Sequence, residues 1–197
     1  MLTFLRPSLV LIILFTLLFG VLYPLAITGV AQSVSPFTAN GSMIVKDGRV
    51  IGSEWIGQNF SSDAYFHSRP SATSATDPND ATQTIDAPYN ASSSSGSNLG
   101  PLSQKLVDRV KADITAAGLS QVPADSVTTS ASGLDPDISP ANALLQIERV
   151  AKARAMDPAK LAHLVRVHTE QPVLGLFGEA RINVLRLNLA LDSLSRS

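Results

Sequence analysis

A chain of 197 residues is long enough for one ordinary domain with an anchor or tail, and too short for a string of domains. Charged residues make up 16 % of it, against roughly a quarter in an average domain, and the deficit lies at the N-terminus, which points to a membrane segment. A net charge of −1 with no stripe of Lys or Arg argues against nucleic-acid binding, and the lack of cysteine removes disulfides, thiolate metal sites and cysteine nucleophiles together.

Between Arg6 and Lys46 no side chain is charged, and residues 9–34 are mostly Leu, Ile, Val, Phe and small residues. Crossing roughly 30 Å of hydrocarbon takes about 20 such residues, so the stretch can span a bilayer. A cleaved signal peptide is the competing reading, with "LAITGVAQS" supplying small residues before a cut. A signal core runs only about 7 to 15 residues, whereas this one continues past Tyr23 and Pro24, so length favours an uncleaved transmembrane helix over residues 8–34. Pro24 predicts a kink or split near the outer third of that helix, because it removes a backbone donor and crowds the preceding turn. Arg6 lies on one side of the span, and Lys46 and Arg49 lie well beyond the other. That asymmetry predicts a cytoplasmic N-terminus over residues 1–7 and residues 35–197 outside, in the periplasm if the source is a bacterium.

In "SMIVKDGRVIG" two short β-branched runs flank Asp47-Gly48, a strong hairpin signal pairing residues 43–45 with 49–51. Trp55 and Phe60 follow as large apolar anchors. Residues 61–100 are polar and broken by Pro70, Pro78 and Pro88, and "YNASSSSGSNLG" within them has the composition of a flexible linker. The same stretch carries Tyr65, Phe66 and Tyr89, and linkers rarely spend aromatics, so it reads as a long ordered loop with a function. Residues 101–118 repeat Leu102, Leu106, Val110 and Ile114 four apart before Gly118, an amphipathic helix with its stop. Ser139-Pro140 and Asp157-Pro158 are two successive helix starts, which predicts a helical hairpin over residues 139–170 that Pro172 ends. Residues 181–195 fit either period, and Leu, Ala, Arg and Asn after Val184 favour a C-terminal helix. The fold class is therefore α+β: one N-terminal membrane helix, then one mixed, helix-rich domain with a short β-hairpin.

The signatures of common chemistry are missing from the sequence. There is no Walker A loop, no Gly-rich dinucleotide fingerprint, no G-x-S-x-G and no S-x-x-K. His163 and His168 are five apart, which puts them on different faces of a helix, unlike a zinc-holding pair. His67 stands beside Arg69 in the aromatic loop, where an interface role and a structural one are equally open. Asp135-Pro136-Asp137 reads as a turn before the next helix. "NFS" at Asn59 and "NAS" at Asn90 match the glycosylation pattern, which carries no meaning in a bacterial protein.

Several blocks, in order after a single span, resemble one family: "YFHSRPSAT", "YNASSSSGSNLGP", "VPADSVTTSASGLDPDISP", "QIERVAKAR" and "GEARINVLRLNLALD". Nearly the whole chain is similar to the C subunit of the bacterial Kdp potassium-transporting ATPase. The resemblance implies a non-catalytic accessory subunit of an inner-membrane complex, needed for assembly and activity. Its implied partners are a channel-like potassium-translocating subunit, a P-type ATPase subunit and a small membrane peptide. It also implies a catalytic chaperone that raises the ATP affinity of the ATPase subunit, with no tightly bound cofactor and ATP itself only by resemblance. The matched positions give the interface candidates: Tyr65, Phe66, Arg69, Pro70 and Ser71; Tyr89, Asn90, Gly96, Ser97 and Asn98; and Ser132, Gly133, Leu134, Asp135, Pro136, Ile138 and Ser139. Tyr89 is expected to anchor the serine loop, and Gly96 to supply a conformation closed to other residues. Ser68, Ser95 and Asp137 stand where the family often has Gly, Gly and His. Two other readings remain open, a membrane-anchored periplasmic hydrolase prompted by the serine block and a binding protein released by cleavage near Ala31.

Overall fold

The computed structural model describes residues 2–118 and 121–194. The chain divides into two units, Met1–Ile51 and Gly52–Ser197. In the first, α1 (Leu2–Leu17) passes through a five-residue π turn (Leu18–Leu22) into α2 (Tyr23–Val34). Residues Phe4–Val34 form a candidate membrane span with a mean hydropathy of 2.7, and none of its most apolar window is buried. At 1.5 Å per residue these 31 residues reach about 45 Å, more than the hydrocarbon core requires.

Pro24 does not split this helix. Tyr23 N donates to Leu18 O, five residues back, so the wider π turn takes up the register just where the proline ring would otherwise press on the Gly20 carbonyl. The helix runs on until Ser35, and Pro36 opens the single turn α3 (Pro36–Ala39). β1 (Met43–Lys46) and β2 (Arg49–Ser53) then pair across Asp47-Gly48, whose φ angles of 52° and 75° are those a two-residue primed turn demands.

In the second unit the loop of residues 61–100 contains a strand pair that its sequence does not announce. β3 (Ser74–Asp77) and β4 (Asp80–Asp86) are antiparallel around Pro78-Asn79. The Asp77 and Asp80 carboxylates accept from Asn79 N and Thr82 N, which fixes the turn locally. The strands are Ser, Thr, Ala, Asp and Gln with Ile85 as their one large apolar residue, itself exposed, so there is no apolar alternation to read.

α4 (Gln104–Ala117) ends at Gly118 with φ 66°, and α5 (Ala124–Val127) leads to β5 (Asp137–Ile138). The expected two-helix hairpin is three helices: α6 (Pro140–Leu145), α7 (Ile147–Arg154) and α8 (Pro158–Val167). The extra break falls at Gln146, whose N–H bonds to Ala143 O three residues back and tightens the end of α6. Ser139 Oγ accepts from Asn142 N and Asp157 Oδ1 from Ala159 N, so both predicted caps cap their helices.

The C-terminal segment uses both of its periods. Ile182–Asn183 form β6, antiparallel to β5, and the helix α9 begins only at Val184 and runs to Leu194. Val184, Leu187 and Leu191 then fall on one face and meet Ile147, Val150, Leu161, Leu164 and Val165 from α7 and α8 in the core. Phe66 and Ile138 belong to the same core, as do Ala143, Ala151 and Ile182, so the aromatic loop and β5 are docked on the helices.

Candidate functional site

Two short hydrogen-bonded clamps position the start of the aromatic block. Asn188, on α9, accepts from Phe66 N at 2.9 Å and donates to Phe66 O at 2.9 Å. Gln146 accepts from His67 N at 2.7 Å and donates to His67 O at 3.1 Å. Each amide treats the loop backbone as a neighbouring strand would, which satisfies groups that burial would otherwise leave unpaired. Phe66 is therefore fully buried, a core residue that offers no surface to a partner. Tyr65 is turned the other way: its hydroxyl donates to Asp192 Oδ2 at 3.3 Å, and the Arg154 guanidinium lies 4.6 Å from its ring centre. Arg154 also pairs with Asp192 at 2.8 Å, tying α7, α9 and the loop at one point.

The remaining candidates are brought together by three loops that bond to one another. Arg69 Nη1 meets Asp135 Oδ2 at 2.9 Å, while Asp135 Oδ1 accepts from Asp137 N and so holds the carboxylate in place. Ser71 Oγ donates to Gly133 O at 2.7 Å and accepts from Tyr89 N at 3.0 Å. Thr73 Oγ1 donates to Ala87 O at 2.6 Å and accepts from Asn90 N at 3.1 Å, and Asn90 Nδ2 donates to Ser74 O. Tyr89, with φ 63°, sends its hydroxyl to Arg69 O at 2.7 Å, and burial pushes that phenol up to about 12. The left-handed backbone of a bulky residue is held by these bonds at both ends of the side chain.

The serine run is part of the same stitching. Ser92 Oγ donates to Asn90 Oδ1 at 2.7 Å, Ser94 Oγ to Ser132 O at 3.0 Å and Ser95 Oγ to Ala72 O at 3.3 Å. Ser95 N also donates to Ser132 O, which joins the second block to the third. Gly96 is needed for closeness rather than for a left-handed backbone, because a Cβ there would stand 2.9 Å from Ala131 O. Gly133 has both requirements: its φ is 68°, and a Cβ would meet Thr73 Cγ2 at 2.5 Å and Ser95 O at 2.6 Å. Ser97 Oγ accepts from Thr129, and Asn98 has φ 51°. Leu134 O accepts from Gly57 N and Pro136 O from Val184 N, which attaches the third block to the start of this unit and to α9. Ser139 completes it: besides capping α6, it donates from N and Oγ to Asp125.

Between the first and second blocks and the α6–α7 joint lies a cleft of about 700 Å³, lined among others by His67, Arg69, Pro70, Tyr89, Gln146 and Arg149. His67 Nε2 faces both Ser62 O at 3.0 Å and Arg149 Nη1 at 3.2 Å, and burial, more than any neighbour, depresses its pKa. Burial likewise lowers that of Arg149, whose Nη2 donates to Gln146 Oε1. The pKa of Asp137, by contrast, is raised, since burial outweighs the attraction of Arg181 at 3.3 Å. No group of three His, Asp or Glu side chains gathers as a metal site among the described residues. Sequence reasoning missed Asn188, Gln146 and Thr73. Only Asn188 leaves a sequence signal, a lone amide amid the apolar positions of "LRLNLALD".

A family model described as K+-transporting ATPase, c chain, matches residues 5–193. A protein of Rhodopseudomonas palustris named potassium-transporting ATPase KdpC subunit is 54 % identical over 197 residues, covering 98 % of this chain and 99 % of that one. Proteins of the same name from Methylobacterium nodulans and Bradyrhizobium diazoefficiens are each 55 % identical, over 99 % and 98 % of this chain and the same shares of theirs. With a match that runs from inside the apolar helix to the end of α9, the chain belongs to the family of K+-transporting ATPase c chains, the KdpC subunits.

Proposed function

We propose that this chain is a non-catalytic accessory subunit of an ATP-driven potassium-uptake complex, required for the complex to assemble and work. The observation that carries the reading is the use made of the loop cluster's reactive groups. The hydroxyls of Ser71, Thr73, Ser92, Ser94 and Ser95 donate to neighbouring carbonyl and amide oxygens, and Arg69 is paired with Asp135. Side chains committed in this way build a rigid surface, whereas a nucleophile needs a base to take its proton. The three histidines do not enter these bonds: His67 turns to Ser62 and Arg149, and His168 Nδ1 lies 3.0 Å from Leu164 O.

Its partners are a channel-like potassium-translocating subunit, a P-type ATPase subunit and a small membrane peptide. The chain crosses the inner membrane once through residues 8–34, with residues 1–7 in the cytoplasm and 35–197 in the periplasm. Within the complex it acts as a catalytic chaperone, raising the affinity of the ATPase subunit for ATP. The apolar helix with no buried face supports a lipid or helix environment for the anchor.

The decisive experiment purifies the tagged full-length chain in mild detergent from potassium-limited cells and identifies the co-purifying chains. A P-type ATPase and a channel-like protein are expected, and recovery of the chain alone overturns the reading. ATPase activity is then followed against ATP concentration with and without this subunit. A KM for ATP that is lower with it supports the chaperone role, and an unchanged KM removes it. A reporter active only outside the cytoplasm, fused after Ser197, checks the orientation.

A further inference from the structure

Residues 170–181 form a finger, closed twice by backbone hydrogen bonds, with an apolar tip that neither the core nor the loop cluster uses. Its base is closed by paired backbone bonds, Glu170 N to Arg181 O at 2.8 Å and Arg181 N to Glu170 O at 3.0 Å. The Arg181 guanidinium bridges Glu170 and Asp137, and Arg186 bridges Glu170 and Glu54, so the cations at the base are neutralised. The tip is closed again by Val173 N to Phe177 O at 2.9 Å and Phe177 N to Val173 O at 3.0 Å. On this doubly closed frame stand Val173, Leu174, Leu176 and Phe177, exposed by 67, 85, 81 and 66 %.

The turn itself shows what the sequence keeps there. Leu174, Gly175 and Gly178 have φ of 54°, 70° and 86°. A left-handed residue is most easily Gly or Asn, and placing leucine at the first of these positions retains an apolar group against backbone preference. The four side chains present on the order of 500 Å² of apolar surface, the upper end of what a monomer shows in one patch and over half of one side of a standard interface. Charge narrows the occupant. Residues 171–180 contain no Lys or Arg, and Glu179 is exposed with no ion-pair partner among the described residues. A loop built to enter an anionic lipid surface carries cations and interfacial Trp or Tyr, and this one carries the opposite charge.

We infer that the finger is a docking anchor: Leu174, Leu176 and Phe177 enter an apolar pocket with a basic rim on another subunit of the same pump, and Glu179 pairs with that rim. The inference rests on the pump-subunit reading and names the surface that reading leaves open. A preformed anchor of this kind loses little conformational freedom on binding, which is why its frame is closed twice.

The test places a photo-crosslinking amino acid at position 174 of the full-length chain, co-expressed with the pump in potassium-limited cells. The expected product is an adduct with another pump subunit, identified by mass spectrometry. An adduct only with lipid or with a second copy of this chain, or none, overturns the inference. In parallel, Leu174→Asp with Leu176→Asp is expected to lower recovery of partner subunits at least tenfold with an unchanged unfolding midpoint, and Glu179→Lys at least threefold. Unchanged recovery in the double variant overturns the anchor, and in Glu179→Lys it overturns the basic rim. The wild-type chain, purified alongside, separates the two levels: if it brings partners down and the variants do not, the finger is the anchor. If the wild type itself comes down alone, the pump-subunit reading and the finger fall together.

Discussion

At Phe66 a single amide side chain decides whether an aromatic loop is core or surface. Asn188 is the acceptor of the Phe66 N–H and the donor to its carbonyl, in a site from which water is excluded. Asn188→Ala strands both groups, and at about 1–3 kcal/mol for each buried group left unpaired the expected loss is about 2–6 kcal/mol, read from the urea midpoint of the whole chain. Asn188→Asp keeps the acceptor and loses the donor, so it should fall no nearer to wild type than half-way. His67 supplies a pH test. Burial holds its folded pKa below the ordinary 6.5, so the folded state resists the proton that the unfolded chain accepts. The stability this residue contributes is complete above about 6.5 and declines as pH falls toward the lowered folded value. Unfolding midpoints measured between about pH 7.5 and 5 should drop, and His67→Gln should flatten the drop; an identical profile in the variant assigns the pH dependence elsewhere. The sequence singled out Tyr65, Phe66 and Arg69 together, yet the structure sends them to a three-element junction, the core and an ion pair. Neighbours in a loop point in different directions, and composition carries no information on which.

Elements were legible where their ends carry chemistry. Asp47-Gly48, Gly118, Ser139-Pro140 and Asp157-Pro158 each act through a local requirement, a positive φ or a first-turn acceptor, and each lies at the boundary its residues announce. Ser139→Ala removes the acceptor for Asn142 N and the donor to Asp125 together, so a loss of about 1–2 kcal/mol is expected, at the upper end for a cap. Differential scanning calorimetry checks it, and Ser139→Thr, which keeps the hydroxyl, should recover most of the loss. The β3–β4 hairpin was invisible because neither face of its strands is buried, and strand period is readable only when one face is. The break at Gln146 was invisible because glutamine carries no local stop signal, and the partner its side chain holds there, the His67 backbone, lies nearly eighty positions away. Pro24 was legible as a disturbance, but the π turn that absorbs it depends on how the preceding carbonyls rearrange, which residue type alone leaves undetermined.

For the second unit as a whole, the loops are not appendages to the helices but a second fastening system. Blocks distant in sequence are joined through Ser71, Thr73, Tyr89, Ser94, Ser95 and the glycines at 96 and 133, and the third block reaches α9 through Pro136. Replacing Ser92, Ser94 and Ser95 together with Ala should lower stability by about 1.5–4.5 kcal/mol, at about 0.5–1.5 kcal/mol for each hydrogen bond. Potassium-dependent ATPase activity of the assembled complex should survive at temperatures where the variant stays folded. Abolished activity with an intact fold and intact assembly would restore the hydrolase reading of this serine run.

What the sequence determined by itself is whatever depends on near neighbours and on composition. That covers the apolar helix, the hairpin turn, the helix caps and the mixed α+β class, and, through the order of its blocks, the family. Tertiary structure alone decided that "YNASSSSGSNLG" is stitched into the unit rather than left as a tether, that Phe66 is core, and that residues 182–183 are a strand before a helix. It also decided that "PVLGLFG" stands out as an exposed finger. The reason is the same in each case. A hydroxyl, an amide or a leucine has several ways to be satisfied, and the one it takes is fixed by groups that chain folding brings from far along the sequence.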